Sequence, residues 1–277
     1  MMWDGLFLPC IVEPVKHLQR LMTDRRYRSY CLLATRYGGC CRYTPQEIRV
    51  RGKMISVPDA ASFLSTYREV FAEQVYRFEF ASGAPRILDL GANIGLSVLY
   101  FKQLFPDSLV TAYEADPAVF GYLEKNIRTH GLGGVKLVQG AVWHEAGVLD
   151  FHAEGGDGGR IVQGVSPETI SVPAYDIREI LRSGEFDVLK MDIEGAEGVV
   201  FQACRGLLDG IRYIFMEYHS TPGSDQQLHT ILDLLAEAGF RYYIEGVHHV
   251  RSPLSHLPVY GGFDLQLNIS AWRDRPC

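Results

Sequence analysis

No apolar run in this chain approaches the ~18 residues that a membrane-spanning helix needs. Cysteine is sparse and scattered: Cys10, Cys31, Cys40, Cys41, Cys204 and Cys277 form no C-x-x-C pair and no Cys/His spacing that suits zinc. Such spacing weighs against a disulfide framework, so reduced thiols and a cytoplasmic location are expected. Positive charge is not in surplus either: 27 Lys and Arg stand against 33 Asp and Glu, a formal net charge of −6. Phosphate neutralisation needs a basic surface, so nucleic acid is not the expected main partner. The opening "MMWDGLFLPCIVEPV" has an early acid and no basic lead, which makes it a poor secretory signal. Internal repeats are absent.

What remains is an ordinary globular balance, 47% hydrophobic and 22% charged over 277 residues. Residues from about Glu13 to Thr35 carry Val15, Leu18, Leu21 and Met22 at helical spacing. Arg20, Arg25, Arg26 and Arg28 cluster there, either as a solvated face or as a patch for an acidic substrate or lipid surface. Alternation in "EIRVRGKMISVPD" around Gly52 predicts a small hairpin, and Ala61 to about Phe80 a second helix. "ASGAP" then breaks the pattern. The expected division is an N-terminal extension over 1–82, lying on the substrate side as a cap, and a main domain over 83–277.

From Arg86 onward, strands and helices alternate. The strands read "RILDL", "LVTAYEA", "VKLVQGAV", "FDVLKMDI", "IRYIFMEYH", "FRYYIEG" and "FDLQLNIS". "GVLDFHAE" is a further extended piece, followed by a glycine-rich loop, "GGDGGRIVQG", expected to be mobile. Crossover helices between strands mean an α/β fold with a mostly parallel, Rossmann-like sheet of seven strands, covered on both faces. No helix separates the last two strands, so the last is expected to run antiparallel.

In such sheets the ligand sits at the strand carboxyl ends where strand order reverses, beside the first strand. The turn there reads Asp89-Leu90-Gly91-Ala92-Asn93-Ile94-Gly95. Gly91 and Gly95 are expected to clear space for a ligand against the backbone. A dinucleotide fingerprint would have glycine where Asn93 stands. Asp89 suits a ligand with a positive amino group, and the turn looks like the D-x-G-x-x-x-G turn of class I methyltransferases that bind S-adenosylmethionine. Glu114, about twenty residues on, stands at a strand end where an acid can hold ribose hydroxyls. Ala115 and Asp116 follow it; Ala141 and Val142 suit the face of an adenine ring, with Trp143 nearby.

"ILDLGANIGLSVLYF", "YEADP", "FDVLKMDIEGAE" and the "GF" before a late strand together resemble the FkbM family of S-adenosylmethionine-dependent methyltransferases, over most of the chain from about Ile48. The resemblance implies methyl transfer to a hydroxyl of a sugar or of a secondary metabolite such as a macrolide. In-line transfer to an alcohol needs alignment and a group that removes the hydroxyl proton. The next strand ends carry Asp192, Glu194, Glu217 and His219. Residues two apart in a strand share a face, which pairs Glu217 with His219. His219 is the natural general base at neutral pH. Asp192 or Glu194 could equally take the proton, or Asp192, Glu194 and Glu217 could bind magnesium. Glu197 is a candidate helix cap. His248 and His249 lie on a loop that could line the acceptor pocket. No N/D-P-P-Y/F tetrapeptide is present, which favours oxygen over nitrogen as acceptor. The competing readings are a nicotinamide-dependent oxidoreductase and a non-catalytic Rossmann-like binding module.

Overall fold

The structure is a computed structural model, and it describes residues 8–152, 160–161, 169–248, 250, 252–255 and 259–273. Most of the glycine-rich loop, and His249, fall outside them. No helix among the described residues is long and apolar enough to cross a membrane.

The first stretch is two helices rather than one, α1 (Leu8–Thr23) and α2 (Arg25–Tyr37). Asp24 divides them: its carboxylate accepts the amides of Arg26 and Tyr27, which starts a new helix there. A hairpin follows, β1 (Gln46–Val50) and β2 (Lys53–Val57), then α3 (Ala60–Tyr67). A π-helical turn over Arg68–Glu73 continues α3 and ends at Gln74 in the left-handed region, φ 60°. The second helix therefore stops short of the expected Phe80.

The chain divides into two compact units. One is the chain up to Gln46 with Val57–Arg77; the other is Glu47–Ser56 with Phe78 onward. In the first, the rings of Phe63, Tyr67 and Phe71 pack in succession, at centroid distances of 5.6 and 4.9 Å. The hairpin, expected in the extension, belongs to the larger unit. Its anchor is Asn126, fully buried on α5 (Pro117–His130). The Asn126 side chain accepts the Ser56 amide at 2.8 Å and donates to the carbonyls of Ser56 and Ile94. Lys53 donates to the His130 carbonyl, and Lys125 pairs with Glu47.

The larger unit is built on a seven-stranded sheet. Its strands are β3 (Arg86–Leu90), β4 (Leu109–Glu114), β5 (Val135–Gln139), β10 (Val188–Met191), β11 (Tyr213–Ser220), β12 (Arg241–Gly246) and β13 (Leu265–Trp272). They run in the order β12-β13-β11-β10-β3-β4-β5. From β11 to β5 all pairings are parallel, and β13 is antiparallel to both its neighbours. Strand order reverses between β3 and β10.

One expected strand breaks in two. "VKLVQGAV" leaves the main sheet at Gly140, φ 147°, where a Cβ would fall 2.7 Å from the Pro173 carbonyl oxygen. Beyond it β6 (Ala141–Trp143), β7 (Gly147–His152), β8 (Arg160–Ile161) and β9 (Thr169–Asp176) form a separate sheet of order β6-β9-β7-β8. The remaining helices are α4 (Leu96–Leu104), α6 (Ile177–Ser183), α7 (Glu197–Ala203) and α8 (Leu228–Glu237). Leu189, Val200, Phe201 and Ile214 are fully buried where α7 meets the sheet. The central strands are buried on both faces, as parallel strands between helices are. They nonetheless hold two charges, Asp89 and Lys190, side by side in register.

Candidate active site

The turn after β3 is kept bare by its protein neighbours. Gly91 has φ 77°, and a Cβ there would lie 1.8 Å from the carbonyl oxygen of Asp192. At Gly95, φ 92°, it would lie 2.7 Å from Leu123 of α5. Both glycines thus make room for neighbouring protein, the exit of β10 and the face of a helix. Asn93 also sits in the left-handed region, φ 48°, and its amide donates to Glu114 Oε2 at 2.8 Å.

Asp89 is not among the residues that border the cavity at these strand ends. It is fully buried, accepts from Ser97 Oγ at 2.5 Å and faces Lys190 Nζ at 3.4 Å. Burial pushes its carboxyl up, and Lys190 and Ser97 pull it back only in part. Lys190, likewise buried, reaches Asp192 at 3.5 Å and donates to the Gly91 carbonyl at 2.5 Å. Burial would lower its pKa, but Asp192 and Asp89 outweigh that and raise it. This ammonium ties the glycine turn to the end of β10. A lone lysine inside "FDVLKMDI" was the only signal for it, and its partner lies a hundred residues upstream.

A small cavity, about 70 Å³, opens at the carboxyl ends of β3, β4 and β10. Gly91 and Asn93 border it, as do Glu114, Ala115 and Asp116 from the end of β4. Ala141, Val142 and Phe151 of the small sheet give it an apolar wall, and Asp192, Ile193 and Glu194 close the β10 side. Glu114 accepts the amides of Asn93 and Asp116 and is largely buried. Burial pushes its carboxyl up to about 7, against those two hydrogen bonds. Asp116 borders the cavity while capping α5, accepting from Ala118 and Val119. Trp143 does not border it; the indole packs on the main core and beside the His144 ring. Phe151 is an addition, and alternation in "GVLDFH", which places Leu149 and Phe151 on one face, was its signal.

Beside the cavity lies a cluster of acids around one imidazole. Glu194 (φ 54°) and Gly195 (φ 98°) are both left-handed, a tight corner between β10 and α7. Glu197, fully buried, accepts the amides of Ile193 and Gly195, so it caps that corner. It also meets His219 Nδ1 at 3.2 Å. The other ring nitrogen, Nε2, lies 3.4 Å from Glu217 and 3.7 Å from Glu194. Glu217 and His219 share a face of β11, and Phe263 packs on the imidazole at 4.6 Å. Burial alone would lower the His219 pKa, but Glu197, Glu217 and Glu194 outweigh it and raise it well above 6.5. The acids at both ring nitrogens favour the protonated ring, which weighs against the base role expected of it. Burial raises Glu194 and Glu217, and His219 offsets part of the rise.

The atoms of Asp192, Glu197 and His219 come within 4.8 Å of one another, a different trio from the expected Asp192, Glu194 and Glu217. This donor set does not fit magnesium. The Glu197 oxygens are taken by backbone amides, and the Lys190 ammonium stands beside Asp192. His248 is exposed, stacks on Tyr260 and does not border the cavity.

A family model described as the methyltransferase FkbM domain matches residues 89–242. The 2-O-methyltransferase NoeI of Sinorhizobium fredii is 30% identical over 181 residues, which cover 54% of this chain and 71% of that protein. Methyltransferase sdnD of Sordaria araneosa is 36% identical over 84 residues, covering 30% of this chain and 32% of that one. The 31-O-demethyl-FK506 methyltransferase FkbM of Streptomyces tacrolimicus is 37% identical over 90 residues, covering 32% and 34%. The matches to sdnD and FkbM thus span about a third of each protein's length. Among solved structures, methyltransferase FkbM from Methylobacillus flagellatus aligns with 15% identity and a TM-score of 0.47, over 88% of this chain and 59% of that one.

Proposed function

The chain belongs to the FkbM family of methyltransferases, and on that premise we propose that it transfers the methyl group of S-adenosylmethionine to a hydroxyl oxygen of a small molecule or glycan. The printed names of two relatives, a 2-O-methyltransferase and a 31-O-demethyl-FK506 methyltransferase, support oxygen as the acceptor atom. A sugar or secondary-metabolite hydroxyl is the acceptor class that the family resemblance favours.

The cavity residues fit the donor. Glu114 suits the ribose hydroxyls, while Ala141, Val142 and Phe151 offer an apolar surface for a purine. Bound there, the sulfonium supplies an electrophilic methyl carbon. Asp89 acts from beneath: with Lys190 it holds the turn and Asp192 in place. Glu194 borders the cavity and carries a raised proton affinity, so it takes the proton as the hydroxyl attacks. His219, held by Glu197 and Glu217 and 3.7 Å from Glu194, offsets part of the rise in that group's proton affinity. Asp192 positions the acceptor.

The observation that carries this reading is Glu114 and Glu194 on opposite sides of one cavity. Two measurements test it. Calorimetric titration should show S-adenosylhomocysteine binding, and labelled methyl groups should enter hydroxylated sugars or macrolides. Absence of binding at ~1 mM, an affinity of only about −4 kcal/mol, would remove the donor assignment. Label entering amines alone would remove the oxygen assignment.

A further inference from the structure

Charge in this chain is strongly segregated. From Lys16 to Arg42 there are seven Lys and Arg against the single acid Asp24, a balance of +6 in a chain whose total is −6. That stretch holds the second half of α1 and all of α2, neither of which has a part in the cavity described above. Arg25, Arg28, Leu32 and Arg36 follow one another at spacings of three or four residues, so they line one face of α2, and all four are exposed. No residue of α2 is buried. Leu32 is 68% exposed, and on α1 Leu18 and Met22 are 56% and 66% exposed. Arg28 Nη1 donates to the carbonyls of Leu21 and Met22, which joins the Met22 end of α1 to the arginine face of α2.

We propose that α1 and α2 form a docking surface for an anionic lipid bilayer. The two features on this surface select the partner. Arginines attract phosphate headgroups within a Debye length, and three large aliphatic side chains left in water gain by entering the acyl boundary. A nucleic acid or other soluble polyanion would satisfy the arginines and leave Leu18, Met22 and Leu32 wet. A second copy of the chain would bring arginine against arginine. With no long apolar segment among the described residues, the attachment is peripheral, reversible and sensitive to salt. The proposal is independent of the methyltransferase reading and stands or falls without it.

Sedimentation of the full chain with vesicles tests it. Vesicles of phosphatidylcholine alone are compared with ones carrying ~30% phosphatidylserine, at ~50 mM and ~500 mM salt. The chain should pellet with the anionic vesicles at low salt, and be released at high salt. Arg25→Glu with Arg36→Glu should lower the bound fraction about tenfold. Leu18→Gln, Met22→Gln and Leu32→Gln together should do the same while leaving retention on heparin unchanged. These positions are exposed and Gln and Glu are good helix formers, so circular dichroism should show unaltered helix content. No pelleting with anionic vesicles at low salt overturns the proposal. So does equal pelleting with neutral vesicles, and so does full pelleting of the triple Gln variant, which would mark a surface for polyanions.

Discussion

A single ammonium bears on three separate parts of this site. Lys190 neutralises Asp89, reaches Asp192 and bonds the Gly91 carbonyl. Removing one partner of a buried ion pair leaves an uncompensated charge, so Lys190→Met should lose about 3–5 kcal/mol in urea unfolding. Lys190→Met with Asp89→Asn should recover much of that stability yet stay slow in methyl transfer, because Asp192 has lost its anchor. Full activity in the double variant would show that the lysine serves folding alone. Glu114 makes a second prediction. Its pKa of about 7 in the folded chain lies above the ordinary 4.5. The folded chain therefore keeps a proton that the unfolded chain releases, and stability falls as pH climbs between those values, by on the order of 3 kcal/mol. An ionised carboxylate accepts ribose hydroxyls better, so S-adenosylhomocysteine should bind more tightly as pH passes 7. Calorimetry on Glu114→Gln should show that rise abolished. His219 has the same sign: raised well above 6.5, it contributes stability that is fully present below that pH and is lost as pH rises through the folded value.

Elements in this chain are fixed to one another by few polar contacts that are distant in sequence. The hairpin β1–β2 depends on Asn126 for both backbone groups of Ser56. Asn126→Ala should leave those groups unsatisfied, at about 1–3 kcal/mol each, and hydrogen exchange should then rise first in the hairpin. Such ties explain which elements the sequence reveals. The central strands β3, β10 and β11 read clearly because both their faces are buried and their residues are mostly apolar. The break at Gly140 was hidden, since a glycine within an apolar run reads as a continuous strand until Pro173 and Tyr175 are seen packed against it. Asp24 was hidden for a similar reason: an acid between two apolar stretches looks like part of a solvated face until it caps Arg26 and Tyr27. In the site, Glu114, Ala141 and Val142 were legible by their place at strand ends. The surroundings of Asp89 and His219 were not, because Lys190 comes alongside Asp89 by strand register and Glu197 reaches His219 from α7.

At the scale of the whole molecule, the last strand joins what precedes it. β13 lies between β11 and β12 and pairs antiparallel with both. A chain ending before Phe263 would leave β12 with no neighbour in the sheet and expose the full edge of β11. Open apolar edges pair with other chains. Such a truncation should appear in the insoluble fraction on expression, whereas a soluble product with native circular dichroism would show that the sheet closes without β13.

The steric demands on the loop after β3 have a consequence for engineering. Gly91 and Gly95 answer to Asp192 and Leu123. Redesign toward sulfonium reagents with ethyl, allyl or propargyl groups should therefore leave those two glycines untouched and direct its mutagenesis to Ile193, which borders the cavity beside Glu194.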